Sequence, residues 1–475
     1  MSFVSVYFFL FLAILLPLYW VLPHKGRIGL LLVASFVFYS FFDWRLSFLL
    51  LGYILVSYFV GLGLSKIKAK GGRIALLVVG IFAELSCLFV FKYANFAFSL
   101  AHDVFRMEGE ALYWRIALPL GISFFTFQTI AYMVDVYRGE IEAERSFFYY
   151  ALFVSFFPQL VAGPIESASH LLPQLKQKAL AKGENFTLGI QYVLRGYMKK
   201  ILIADLLGVF VDATFGGALE ASGWTLLLAT FAFGLQIYGD FSGYSDIALG
   251  IGRLLGIELM ENFDRPYLSS GFGEFWRRWH ISLNRFFVKY LYIPLGGSQH
   301  GRIRKYLAIL LVFLCSGLWH GANLTFLLWG LFHGVLLIGE DLLSPLLEKV
   351  KESHPRLMKV MGIVFTYLIV NLLWVFFRAQ SVGEAFLIYG RIFSSFAAGS
   401  SSFLLATPLY LPLALCAIGA LCLLYYLPKI SFRAEDFASS LRSSVIALAA
   451  VGVLVFVAGY VASLGGGGAF IYFQF

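Results

Sequence analysis

The stretch GFGEFWRRWHISLNRFFVKYLYIPLGGSQHGRIRKYLAILLVFLCSGLWHGANLTFLLWGLFHG, residues 271–334, holds two histidines, His280 and His320, where an ionisable side chain is costly. Its first third has the period of an amphipathic helix. At 100° per residue, Trp276, Trp279, His280, Leu283, Phe286, Phe287 and Tyr290 fall on one side, and Glu274, Arg278, Arg285 and Lys289 on the other. His280 is therefore expected on the aromatic face, pointing into protein or lipid, where burial without an anion partner favours the neutral imidazole. After the basic turn QHGRIRK the chain turns apolar at Tyr306. His320 follows about fourteen residues later, roughly 21 Å of helical rise and past the middle of a ~30 Å hydrocarbon core. An ionisable residue at that depth faces a bundle interior or a cavity and marks a functional site by default. Trp319, Gly321 and Ala322 give His320 an aromatic wall and small neighbours beside which a substrate could approach. The plainer reading is a neutral histidine bonded to a neighbouring helix. His333 is the better candidate for a structural role.

The rest of the chain agrees with a membrane setting. Of 475 residues, 60% are hydrophobic, 18% aromatic and only 13% charged, against about 25% charged in ordinary globular proteins. The apolar runs lack strand-like alternation, so the expected fold class is all-α, a polytopic bundle of transmembrane helices and not a barrel. The net charge is +9. Its basic residues cluster between apolar runs, which assigns them to cytoplasmic loops and anionic lipid head groups, not to nucleic acid. Cys87, Cys315, Cys416 and Cys422 all lie in apolar runs at no metal-ligand spacing and read as small core residues.

A first span at 3–22 has no positive charge before it and has Lys25 and Arg27 after it, the reverse of a signal peptide, so it reads as an uncleaved anchor with its N-terminus outside. Further spans are expected at 28–42, 46–64, 74–100 and 116–134. With that orientation the inward loops hold Lys25, Arg27, Lys66, Lys68, Lys70, Arg73, Arg138 and Arg145, and the outward ones only Arg45, Arg106 and Arg115. Residues 147–163, broken by Pro158 and Pro164, suit a re-entrant segment. Residues 174–200 suit an amphipathic helix on the inner surface. Spans at 201–215 and 224–238 precede GDFSGYSDIALGIGRLLGIELMENFDRPY, where Asp240 and Asp246 follow an apolar run and glycines at 239, 243, 250, 252 and 256 permit close helix approach. The aspartates cap or brace a helix end, or else orient a catalytic group. Later spans are expected at 306–319, 324–338, 360–377, 409–426 and 445–464. That makes eleven to thirteen membrane segments in a single domain over 1–475, with a catalytic core at about 147–340.

No phosphate-binding loop, nucleophile elbow, zincin helix or dinucleotide fingerprint occurs in a plausible context. Two histidines without a cysteine or carboxylate ligand set make a poor metal site, so no metal is expected. An imidazole suits general acid–base catalysis near neutral pH. A proton-coupled transporter uses the same residue types. Arg302, Arg304 and Lys305, beside a glycine-rich turn, could hold the phosphates of a donor, or serve only as positive-inside charge.

WRRWHISLNRF (276–286, overlapping NFDRPYLSSGFGEFWRRWH, 262–280) followed by LWHGANLTFLLWGLFHG resembles the membrane-bound O-acyltransferase family. Within it, the chain is more closely similar to the membrane subunits of bacterial alginate and related polysaccharide O-acetyltransferases. FFPQLVAGPI (156–165), QIYGDFSGYSDIALGIG (236–252), YLYIPLGG (290–297) and the terminal FIYFQF extend the resemblance over nearly the whole chain. It implies that His320 is the essential membrane-embedded catalytic histidine and His280 the second active-site residue, where other branches carry Asn or Asp. Trp276, Trp319, Asp240, Arg302, Arg304 and Lys305 complete the expected substrate-binding set. The implied fold is a ring of helices around a thinned centre, in a multi-pass protein of the bacterial inner membrane. The implied donor is acetyl-CoA, with no permanently bound cofactor, and the implied partner a periplasmic SGNH-type acetyltransferase. Peptidoglycan or cellulose acetylation and D-alanyl transfer to teichoic acid are the neighbouring activities.

Overall fold

Without water to bond backbone N–H and C=O groups, an apolar run must satisfy them within itself, and helices do so. The structure, a computed structural model, describes residues 1–107, 112–114, 117–397 and 399. Among these residues there is no β-strand, and helices follow one another along the chain. They are α1 Val6–Val21, α2 His24–Ser40, α3 Leu46–Lys66, α4 Lys70–Leu88, α5 Ala94–Phe105, α6 Ile122–Arg138, α7 Phe147–Ser155, α8 Phe157–Leu160, α9 Ala168–Lys176 and α10 Gly183–Tyr197. Then come α11 Leu206–Gly216, α12 Gly223–Leu254, α13 Phe272–Arg278, α14 Ile281–Phe287, α15 Arg302–His320, α16 Leu324–Ser353, α17 Pro355–Arg378 and α18 Val382–Ser394. A π-helical turn over Phe89–Tyr93 joins α4 to α5, and another over Met198–Asp205 joins α10 to α11.

Five segments are long and apolar enough to cross a membrane: α3, the α4–α5 run, α15, Leu324–Leu346 of α16, and α17. Their lipid-side character shows in exposed side chains such as Val79, Phe82 and Phe365. Of the eleven to thirteen segments expected, those at 409–426 and 445–464, with Cys416, Cys422 and the terminal FIYFQF, lie outside the described residues, as does Arg115. Residues 147–163 form two short helices broken at Phe156, too short for a full span. The single inner-surface helix expected at 174–200 is instead α9 and α10 with residues 177–182 between them. Helix α18 had no counterpart among the expected spans.

The described chain forms two compact units. The first comprises Met1–Val193 with Ile247–Met260. In it Arg27, expected as a loop charge, is buried. Its guanidinium donates to the carbonyls of Leu22 and Ala179 at 2.9 Å each and stacks over Trp20 at 4.8 Å, so it serves as a clamp. The second comprises Leu194–Asp246 with the described part of Glu261–Phe475, and its core is aromatic: Trp276, Trp279, Trp329, Trp374 and Phe377 are all buried.

Close backbone approach positions the helices of this second unit. A Cβ on Gly239 or Gly243 would lie 3.0 Å from the Lys199 carbonyl or 2.8 Å from that of Gly196, so the glycine stripe of α12 does bring two backbones together. Gly317 of α15 and Gly330 of α16 meet the partner helix still more tightly, because a Cβ at either would collide with the carbonyl of Phe326 or Phe313. Gly330→Ala should therefore lower the thermal midpoint in detergent by several degrees, the effect of about 1–3 kcal/mol of overpacking. An unchanged midpoint would mean that α15 and α16 can separate freely.

Candidate active site

His320 is the last residue of α15, which Gly321 ends in extended conformation. Only Ala322 and Asn323 intervene before α16, and the Asn323 side chain accepts from the Thr325 amide at 3.1 Å to start it. The turn returns the chain so that the His320 ring is walled by α16 and α17. Its centroid lies 5.1 Å from Trp329, 5.2 Å from Phe377 and 4.9 Å from Trp319, each edge to face. His320 is 2% exposed.

His280 does not stand on a continuous amphipathic helix. The helical pattern breaks between α13 and α14, and His280 occupies the break in left-handed conformation, with φ +45°. Histidine tolerates this region better than most non-glycine residues. Asn262, on the preceding NFDRPY segment, stitches the break: its carbonyl accepts from Ile281 N, and its side-chain oxygen accepts from Ser282 N at 3.1 Å and Ser282 Oγ at 2.8 Å and lies 3.3 Å from His280 Nδ1. The turn aims the His280 ring at His320, with centroids 6.3 Å apart, and sets it edge-on to Phe241 at 4.7 Å and Trp319 at 5.6 Å. Burial, at 1% exposure, lowers its pKa well below the ordinary imidazole value, so it is neutral and able to donate at one nitrogen and accept at the other.

Of the other expected site residues, Trp319 packs against both histidines, 5.6 Å from His280 and 4.9 Å from His320. Trp276 does not face His280 but packs on His333 at 4.9 Å and Trp329 at 5.6 Å. His333 is fully buried among Trp276, Trp329, Phe275 and Phe313. Neither of its ring nitrogens, nor Nε1 of Trp276, Trp279 or Trp329, has a hydrogen-bond partner among the described residues. A buried polar atom left so costs about 1–3 kcal/mol.

Asp240 and Asp246 lie inside α12, not at a helix end as expected, because α12 continues to Leu254. They brace by charge. Asp240 pairs with Lys200 at 2.7 Å, and Lys200 also with Asp205 at 2.8 Å; Asp246 holds Lys199 at 2.7 Å and Arg195 at 2.6 Å. Phe241, next to Asp240, carries this anchorage to His280. Arg302, Arg304 and Lys305 begin the helix that His320 ends, ~27 Å away by helical rise. Lys305 pairs with Asp341 at 2.6 Å, and Arg304 Nε donates to the Leu295 carbonyl at 2.6 Å. Among the described residues no group of three or more His, Cys, Asp or Glu could hold a metal.

Two histidines facing each other inside an aromatic shell make an arrangement suited to proton transfer at a carbonyl or hydroxyl, and comparison with known proteins gives the chain a family. Residues 140–378, which contain both histidines, match the model of the membrane-bound O-acyltransferase family over half of the chain. The chain belongs to the membrane-bound O-acyltransferase family. The probable alginate O-acetylase AlgI of Pseudomonas putida is 39% identical over 82% of this chain and 79% of its own length. The peptidoglycan O-acetyltransferase of Helicobacter pylori is 38% identical over 75% of the chain and 71% of its own length. The teichoic acid D-alanyltransferase of Bacillus subtilis is 26% identical over 52% and 65%. As a membrane-bound O-acyltransferase the chain is a multi-pass membrane enzyme, and the transporter reading falls away.

Asn262, Phe241, Trp329 and Phe377 escaped the expected site set. For Asn262 a signal was available, since an Asn that opens a Pro-containing loop just before a helix often bonds nearby backbone. The break itself yields a prediction. Asn keeps hydrogen bonding and tolerates left-handed backbone, so His280→Asn should retain at least several-fold more transfer activity than His280→Ala. Equal activities in the two variants, measured with matched amounts of folded protein, would remove His280's hydrogen bonds from the mechanism.

Proposed function

We propose that this enzyme moves acetyl groups from a cytoplasmic thioester, acetyl-CoA, toward hydroxyls of an extracytoplasmic polysaccharide, alginate or a related exopolysaccharide. The observation that carries the reading is the His280–His320 pair, 6.3 Å apart between ring centroids in an aromatic shell. A neutral imidazole there can take the proton of an attacking hydroxyl and return it to the departing sulfur. His320 is the base. His280, held by Asn262, orients the acyl group or the acceptor.

Greater identity and coverage against the alginate and peptidoglycan acetylases than against the D-alanyltransferase support acetyl over aminoacyl transfer. The alginate and peptidoglycan relatives differ little in identity. The run of probable alginate O-acetylases at 37–39% identity over 82% of the chain is what favours an exopolysaccharide. The donor's phosphates would rest at Arg302, Arg304 and Lys305, the end of α15 away from His320. The setting is the inner membrane with the N-terminus outside, and an SGNH-type acetyltransferase on the outer side would receive the acetyl group and place it on the polymer.

The test is acetyl incorporation into alginate by a host lacking its own membrane acetylase and supplied with this chain. His320→Ala should abolish incorporation, with a rate loss of about 10²–10⁴-fold, while membrane abundance and thermal midpoint stay near wild type. A His320→Ala enzyme with more than half of wild-type acetylation would overturn the reading, and acetylation of peptidoglycan instead would move the acceptor.

A further inference from the structure

The base at His320 handles the proton, but acyl transfer also puts negative charge on the carbonyl oxygen, and that charge needs a fixed donor. Trp329 has the attributes of one. It is fully buried, and its indole N–H has no hydrogen-bond partner among the described residues. Its ring meets His320 at 5.1 Å and 86°, so a carbonyl reacting beside His320 is within a ring's breadth of it. Trp374 stacks on it at 5.6 Å, Phe377 lies at 5.4 Å, and His333 and Trp276 close the other sides at 4.9 and 5.6 Å. These rings confine the indole on several sides, and Gly330 next to it holds the backbone of α16 against the Phe313 carbonyl. A phenylalanine would fill much of this space without burying a polar N–H, so packing alone does not explain the choice of tryptophan. Trp276 and Trp279 carry similar buried N–H groups, but Trp276 lies against His333 and Trp279 against Trp374 and Phe263.

We propose that Trp329 is a further catalytic residue whose indole N–H donates to the acyl carbonyl oxygen; this rests on the acyl-transfer role given to His320. The acceptor oxygen bonds to the carbonyl carbon as its proton passes to His320, and the carbonyl π pair moves onto oxygen, where Trp329 holds it. When that pair returns, the C–S bond breaks, its electrons leave on sulfur, and the sulfur takes the proton from His320. The ester and the free thiol result, and the enzyme ends unchanged.

The decisive variant replaces Trp329 in the full-length protein with 3-benzothienylalanine, which substitutes sulfur for the N–H and keeps the bicyclic shape. Trp329→Phe is made alongside it. The readout is thiol release from acetyl-CoA by membranes that also carry the outer SGNH-type acetyltransferase and alginate, corrected by the His320→Ala background. The benzothienyl enzyme should keep its thermal midpoint and a donor KM within about threefold, and lose about 10²–10³-fold in kcat, as removal of one such donor does. A kcat within threefold of wild type in the folded benzothienyl enzyme overturns the assignment to Trp329, whatever Trp329→Phe does. If His320→Ala releases thiol as fast as wild type, the underlying role of His320 fails instead.

Discussion

The site depends first on α15 and α16 touching backbone to backbone. Helices normally pack 8–10 Å apart, spaced by their side chains. Here Gly317 and Gly330 remove those spacers, and each helix presents a carbonyl where the other would carry a Cβ. In a bilayer, where no hydrophobic effect drives helices together, such contact is a main source of association. It also fixes geometry. His320 ends α15 three residues after Gly317, and Trp329 adjoins Gly330, so the contact that joins the helices also sets the imidazole against the indole.

The second constraint is the backbone at His280. A left-handed non-glycine residue stores strain of about 1–3 kcal/mol and persists only where its surroundings over-determine it. Asn262 supplies them, with a backbone acceptor on one side of its peptide and a side-chain acceptor shared by Ser282 and faced by His280. Had the helix run on unbroken, His280 would share the direction of Trp276, which lies against His333 and Trp329. The break turns it out of that row and toward His320.

These two constraints mark how far the sequence could be read. The all-helical class, the aromatic setting of both histidines and the close approach along the α12 glycines follow from period, spacing and composition. The pairing of the histidines themselves rested on the resemblance, since periodicity alone placed His280 on a straight helical face. Hydropathy also misjudged charge. Lys199 and Lys200 read as part of a basic surface helix because their acidic partners, Asp240 and Asp246, stand some forty residues on, and only the fold brings them to 2.7 Å. Arg27 is likewise a loop charge by position and a buried clamp by contact. A one-dimensional pattern counts charges; it does not say which ones neutralise each other.

That neutralisation matters for the chemistry. Asp240 adjoins Phe241, whose ring touches His280, so a lone carboxylate there would bring an uncompensated negative charge near the two histidines. In a medium of low dielectric such a charge acts over long distances. It would oppose negative charge building on an acyl oxygen and favour a protonated imidazole, which cannot serve as a base. Lys200 lies 2.7 Å from Asp240 and 2.8 Å from Asp205, and Asp246 is matched by Lys199 and Arg195, so the charges are spent on one another. The polar network anchors α12 against the residues that precede α11, while the rings between it and the histidines keep the site apolar. Replacing Lys200 by an apolar residue would thus do two things at once: remove the cation shared by Asp240 and Asp205, and extend the carboxylates' field toward His280 through a single aromatic ring.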